Sequence, residues 1–145
     1  RPITLSNALH AIAAFERSLT SNDSPFDRAM RGEHGAMSPQ AWRGLRAFTQ
    51  AGCGECHQGD TFDARRFATN AVTPGRFRIP TLRNIAATAP YMHDGSIASL
   101  AEVLERYIAA RKLSMSAEER ADLLAFLAAL TDEDFLTASR FGNPW

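Results

Sequence analysis

The sequence has few of the features that mark several common protein classes. Only two cysteines occur in 145 residues, and no second Cys/His cluster is present to complete a zinc site. No apolar run approaches the ~20 residues of a membrane-spanning helix. Sixteen basic and sixteen acidic side chains cancel, so the charge gives no indication of nucleic acid or of an anionic membrane. The remaining composition, 45% apolar and 22% charged, is typical of one soluble domain with a core.

The two cysteines lie in the motif Cys53-Gly54-Glu55-Cys56-His57, which has the spacing of the c-type haem attachment signature. Two thiols separated by two residues can add to vinyl groups of one haem, and the histidine that follows can bind the iron. A CxxC redox pair needs no histidine and usually lies in a βαβ pattern, which is absent here. We therefore predict one covalent haem c, attached through Cys53 and Cys56 and ligated by His57.

Helical periodicity dominates the chain, and no strand is convincingly indicated. Helices are predicted over residues 5–20, from Pro39 into the haem motif, over 81–87, over 99–110 and over 117–130. Residues 59–75 are interpreted as a long loop over one haem edge, and 131–145 as an irregular tail. The fold class predicted for residues 1–145 is therefore a single all-α, cytochrome c-like haem domain with long loops.

The second axial ligand of the iron decides the chemistry of a haem, and the residues alone leave it open. Met92 and Met115 both follow the haem motif, and Met92 lies in a turn-rich segment, where the methionine ligands of small cytochromes are usually found. Tyr107 lies on an apolar helical stripe, where a tyrosine in the core is the simpler interpretation. Spacing alone favours Met92.

Three segments resemble the bacterial di-haem cytochrome c peroxidase and MauG family: residues 24–28, 79–85 and 88–96, with the haem motif between the first two. The resemblance covers nearly the whole chain, with the motifs in the same order, and it matches the C-terminal haem domain of that family. Residues 130–136, 140–141 and 144–145 most resemble the MauG-like branch of MbnH type. The resemblance implies that an N-terminal haem domain is missing from these 145 residues.

The resemblance changes the expected ligands. It implies that Tyr107 is the second axial ligand and a catalytic residue, since MauG-type enzymes carry tyrosine there and peroxidases carry methionine. Met92 becomes less favoured. Arg83, within the segment 79–85 that resembles the family, is expected to help bind the cofactor. The backbone carbonyls of Thr88 and Pro90 are expected to contribute to a calcium site between two haem domains, since oxygen ligands suit that cation.

The implied function is that of a periplasmic, haem-dependent oxidoreductase. Equivalents derived from hydrogen peroxide would oxidise a partner protein, and the haem of this domain would store or relay electrons through His/Tyr-ligated iron. One alternative is a di-haem cytochrome c peroxidase, which takes electrons from a small redox protein. The other is a mono-haem electron carrier with Met92 as ligand. The chain alone is expected to be inactive, and its face toward the N-terminal haem domain is expected to be unusually apolar.

Overall fold

The computed structural model describes residues 2–142, and the fold is mostly helical, as predicted. The elements are α1 Leu5–Ser18, α2 Pro25–Met30, α3 Pro39–Gln50, β1 Ala64–Ala68, β2 Phe77–Ile79, α4 Leu100–Arg111, α5 Ala117–Ala128 and α6 Glu133–Thr137. Short 3-10 turns connect several of them. Pro144 and Trp145, which carry part of the family resemblance, lie outside the described residues.

Side-chain caps explain why the helices begin where they do. An N-cap oxygen accepts a hydrogen bond from a backbone N–H of the first turn, which would otherwise lack a partner. The capping residues are Thr4, Ser24, Ser38, Ser99 and Ser116. Pro25 and Pro39 follow their caps directly, where the missing N–H of proline costs nothing. These caps confirm the predicted starts of α3 and α5.

The core lies where α3 crosses α5. Gly44 allows this crossing, because a Cβ at this position would lie 1.9 Å from the backbone oxygen of Asp122 in α5. Four phenylalanine rings fill the space beside the crossing in edge-to-face pairs, with centroids 5.0 to 6.0 Å apart: Phe26, Phe48, Phe62 and Phe126. The crossing fixes the end of α3, from which the haem motif follows directly.

A small antiparallel sheet corrects the expectation that the chain has no strand. Strand β1 lies inside the segment predicted to be a loop, and it pairs with β2, where Phe67 lies opposite Arg78. The short strands carry no clear alternation of apolar and polar residues, so the sequence pattern that predicts strands is missing. We refer to residues 64–79 as the hairpin.

Two further predictions of local structure were wrong. The helix expected over 81–87 is only a 3-10 turn at Ile85–Ala87, preceded by Asn84 with a φ of 59°. The backbone N–H of Asn84 donates to the carbonyl of Leu130 instead of to a helical neighbour. The predicted irregular tail contains α6 and a 3-10 turn at Ser139–Phe141 within its described part.

Helix α1 was predicted correctly, but it has no buried residue. Its large apolar side chains, and that of Leu19 directly after it, are between 40% and 77% exposed: Leu5, Leu9, Ile12, Phe15 and Leu19. A contiguous apolar surface of this kind on a soluble domain usually marks a contact with another protein or domain.

Candidate functional site

The haem motif occupies a tight turn at the end of α3. Gly52 has a φ of 71°, a left-handed conformation that favours glycine, and the 3-10 turn Cys53–Glu55 follows it. Both cysteines are free thiols and half-buried. Burial raises the pKa of the Cys53 thiol, against the opposing charge of Arg111. Two free thiols three residues apart on one turn are what attachment to two vinyl groups requires.

The ring of His57 is held by two backbone carbonyls. Its Nδ1 lies 3.0 Å from the oxygen of Phe62 and 3.2 Å from that of Pro80. Because a carbonyl oxygen only accepts, Nδ1 carries the proton and Nε2 keeps a free lone pair. Burial lowers the pKa of His57, so the neutral form that binds iron is favoured. This arrangement of a ligand and its supporting acceptors is usual for histidines that bind metals.

Helix α4 carries Tyr107, which is half-buried. Burial raises the pKa of Tyr107, and the nearby thiols of Cys53 and Cys56 raise it further. The guanidinium of Arg111, one turn further along α4, and the amide of Asn70 in the hairpin act in the opposite direction and lower this pKa. The two thiols, Arg111 and Asn70 thus all influence the pKa of the Tyr107 phenol.

The sequence analysis did not identify Asn70 or Arg111. Arg111 could have been found, because it follows Tyr107 by four residues and therefore lies on the same side of the helix. Its Nη2 also lies 4.0 Å from the carboxylate of Glu55 inside the haem motif. Asn70 gave no signal, since only the pairing of β1 with β2 brings its loop toward α4.

The two candidate methionines have different surroundings. Met92 is half-buried in the tight loop between Tyr91 and Ile97, with a φ of 73°. Met115 packs against the main hydrophobic core. Tyr91 is buried, and its hydroxyl donates to the carbonyl of Ile85, 3.0 Å away.

Arg83 forms a nearly buried ion pair with Asp27 in α2. Two guanidinium nitrogens each lie 2.7 Å from a carboxylate oxygen, and the side chains are 13% and 10% exposed. Burial alone would raise the pKa of Asp27, but hydrogen bonds from Arg83 and Ser24 hold it below its ordinary value. Arg83 thus joins α2 to the segment before the 3-10 turn at Ile85. Its role in binding the cofactor stays a prediction.

The predicted calcium ligands, Thr88 and Pro90, are both exposed. Within residues 2–142, no group of three or more His, Cys, Asp or Glu side chains could hold a metal ion. The predicted calcium site would use backbone carbonyls, so it stays a prediction. None of the described helices has the length and apolar character needed to cross a membrane.

The residues present fit a covalent haem c. Two free, half-buried thiols lie on one turn, and a neutral histidine beside them keeps one ring nitrogen free. Tyr107 offers a second ligand type that haem proteins use, a phenol oxygen.

Two family models match the chain in succession. The model described as di-haem cytochrome c peroxidase matches residues 1–35, and the model described as cytochrome c matches residues 41–131. The boundary between them falls after α2, so α1 and the haem motif lie in different models. The cytochrome c model contains both cysteines, His57 and Tyr107.

Relatives found by sequence similarity point to the same group of proteins. The chain is 35% identical to the methylamine utilization protein MauG of Methylorubrum extorquens, over 91% of this chain and 46% of the relative. It is 32% identical to the cytochrome c551 peroxidase of Pseudomonas aeruginosa, over 72% of this chain and 37% of the relative. The chain therefore spans at most about half the length of these relatives.

A solved structure agrees with this assignment. It is described as a MauG-like protein associated with microbial copper homeostasis, and it superimposes with a TM-score of 0.87 at 31% identity, covering 99% of this chain and 62% of the other. The chain belongs to the cytochrome c family and, within it, to the di-haem cytochrome c peroxidase and MauG group, whose C-terminal cytochrome c domain it matches.

Proposed function

We propose that this chain is the tyrosine-ligated haem domain of a MauG-like periplasmic oxidoreductase. Cys53 and Cys56 would hold the porphyrin, and His57 and Tyr107 would hold the iron. When bound, the haem supplies one-electron oxidation and reduction. In the whole enzyme, equivalents derived from hydrogen peroxide would oxidise a partner protein through this domain.

One observation carries the proposal: Tyr107 lies one turn before Arg111 in α4, and Nη2 of Arg111 is 4.0 Å from the carboxylate of Glu55 inside the haem motif. Burial raises the pKa of Tyr107, and the charge of Arg111 offsets this effect only in part, so the side chain without iron is a neutral phenol. Binding to ferric iron would displace the phenol proton. A phenolate is a hard ligand and stabilises ferric iron over ferrous iron.

The exposed apolar side of α1 supports a second haem domain as the partner. This helix lies within the part of the chain that the di-haem peroxidase model matches, outside the cytochrome c model. Covering Leu9 and Ile12, both 55% exposed, would remove apolar surface from water, at ~25 cal/mol for each Å². We propose that the N-terminal haem domain covers this side of α1 in the whole protein.

The spectrum of the ferric protein tests the ligand. Tyr107→Phe is expected to convert low-spin iron into a largely five-coordinate, high-spin form and to shift the Soret band. Tyr91→Phe is the matched control, because the chain has only two tyrosines and Tyr91 donates to a backbone carbonyl. An unchanged spectrum in Tyr107→Phe would overturn the assignment.

A di-haem cytochrome c peroxidase is the second candidate, favoured by the similarity to the cytochrome c551 peroxidase. It would carry a haem of high potential in this domain, because the family peroxidases use methionine as the second ligand. A mono-haem carrier with Met92 as ligand is the third candidate. The mono-haem hypothesis requires Met92 as an iron ligand. It therefore predicts a sulfur-to-iron absorption band that is lost in Met92→Leu. Met115→Leu serves as the matched control.

A further inference from the structure

The hairpin carries a concentrated positive charge in a chain that is neutral overall. Residues 64–79 contain four arginines and no acidic residue, although the whole sequence has sixteen of each charge type. All four are exposed: Arg65, Arg66, Arg76 and Arg78. Among the described residues, none of these arginines lies within salt-bridge distance of a carboxylate. Their charge is therefore directed to the solvent.

An exposed aromatic ring lies among these charges. Phe67 is 59% exposed and pairs across the two strands with Arg78. The carbonyl of Phe67 accepts a hydrogen bond from Arg76, 3.0 Å away, which keeps that arginine close to the strand. Arginine and aromatic residues are enriched at the centres of protein interfaces, so this combination favours a protein partner over a small anion.

The hairpin contacts the haem motif and the loop that follows Met92, and it influences the pKa of Tyr107. Arg66 donates to the carbonyl of Glu55 in the haem motif, 3.0 Å away. The amide of Asn70 acts on the phenol of Tyr107 in α4. The ring of Phe77 stacks on that of His93, with centroids 4.4 Å apart, in the loop that follows Met92. A protein bound to the hairpin would therefore lie next to the residues that hold the haem.

We propose that the hairpin is the docking surface for an acidic redox protein that exchanges electrons with this domain. The proposal rests on the oxidoreductase function proposed above and names the chemistry of its partner. One electron passes between the redox centre of the bound protein and the haem iron, so one centre is oxidised as the other is reduced, and no atom is transferred. Complementary charge would set the encounter rate and the orientation.

Oxidised flavodoxin, a small acidic redox protein, is a suitable probe, and the haem-loaded protein with all of its domains is the sample. Isothermal titration at low salt measures the affinity. We expect the triple variant R65Q/R76Q/R78Q to bind about 10-fold more weakly, because three exposed charges that face the acidic partner are removed and each exposed ion pair contributes little. Arg66 is left intact because it contacts the haem motif.

The matched control is R17Q/R46Q/R106Q, which removes the same charge from exposed arginines outside the hairpin. We expect this control to change the affinity by less than about 2-fold. Equal losses in the two triple variants would show that only net charge matters and would overturn the proposal. An unchanged affinity in the hairpin variant would also overturn it.

Two additional measurements complete the test. Phe67→Ala should weaken binding at high salt, where the charges are screened and apolar contact remains. Vesicles of phosphatidylglycerol test a membrane surface as the acidic partner. If vesicle binding depends on the hairpin arginines and flavodoxin binding does not, the proposal of a protein partner is overturned in favour of a membrane surface. The spectra of Tyr107→Phe test the proposed function separately, since the affinity for oxidised flavodoxin does not depend on the iron ligand.

Discussion

Helices α1 and α5 carry similar apolar stripes but lie in opposite surroundings. In α5, Leu123 and Phe126 are 2% and 0% exposed, because α3 packs closely against them. In α1, Leu9 and Ile12 are each 55% exposed. A helical pattern thus predicts that a helix has an apolar side, but it does not say which element covers that side.

The boundary between the two family models separates the same regions. Helix α1 lies in the part matched by the di-haem peroxidase model, whereas α3, α4 and α5 lie in the part matched by the cytochrome c model. In the first region α2 contributes Phe26 and Ala29 to the core, whereas α1 buries no residue. Substitutions in the two regions should differ greatly in cost when this chain is studied alone.

The largest effect is expected at the crossing of α3 and α5. Gly44→Ala would place a Cβ 1.9 Å from a backbone oxygen and 2.7 Å from the Cβ of Phe126, so the two helices must move apart. We expect a loss well above the ~3 kcal/mol of an ordinary overpacked core. Gly35→Ala, which meets nothing within 4 Å, is the control and should change the stability by less than about 0.5 kcal/mol. Denaturant unfolding measures both, and equal stabilities would contradict the packing described here.

The ion pair between Arg83 and Asp27 should give the next largest effect. Arg83→Met leaves a carboxylate nearly buried without its partner, and we expect a loss of about 3 kcal/mol at pH 7. Arg17→Met at the exposed end of α1 should cost less than about 0.5 kcal/mol. Thermal unfolding measures the stability of both variants. A loss in Arg83→Met as small as that in Arg17→Met would contradict a large contribution of the ion pair.

The same pair should make the stability depend on pH. The pKa of Asp27 is lower in the folded chain than its ordinary value of 3.8. Its contribution is therefore complete above that value and is lost as the pH falls through the lower, folded pKa. The difference in stability between the native chain and Arg83→Met should shrink between pH 5 and pH 2, when both are followed by circular dichroism. A constant difference would contradict this assignment.

The same substitution, leucine to alanine, in α5 and in α1 tests the comparison between these two helices. Leu123→Ala in α5 should cost about 2.5 kcal/mol, because it opens a cavity in the core. Leu9→Ala in α1 should change the stability of this chain by less than about 0.5 kcal/mol. In a protein that includes the proposed N-terminal haem domain, Leu9→Ala should become costly as well. An unchanged stability of Leu9→Ala in that longer protein would show that the N-terminal haem domain does not cover α1.

The sequence was most informative where a local rule applies. Ser38 followed by Pro39, and Ser116 before the last long helix, predicted helix starts because capping depends on adjacent residues. The haem motif was equally local. The features that escaped prediction depend on distant partners. Arg83 meets Asp27 across 56 positions, and His57 contacts the carbonyl of Pro80 across 23.

Strand β1 illustrates the same limit. Its sequence, Ala-Arg-Arg-Phe-Ala, has no alternation, and its partner is only three residues long. Only the folded pairing brings the arginines of β1 and β2 into one hairpin, with Phe67 opposite Arg78. The resemblance to a family supplied Tyr107, which neither periodicity nor spacing had favoured over Met92.

Resonance Raman spectroscopy of the ferric protein tests the central claim, that Tyr107 and His57 are the two ligands of the haem iron. Excitation into the phenolate-to-iron charge-transfer band should enhance the ring vibrations of a bound phenolate. We predict that these bands are present in the native protein and in Tyr91→Phe, and absent in Tyr107→Phe. Their absence from the native protein, or their persistence in Tyr107→Phe, would contradict the account.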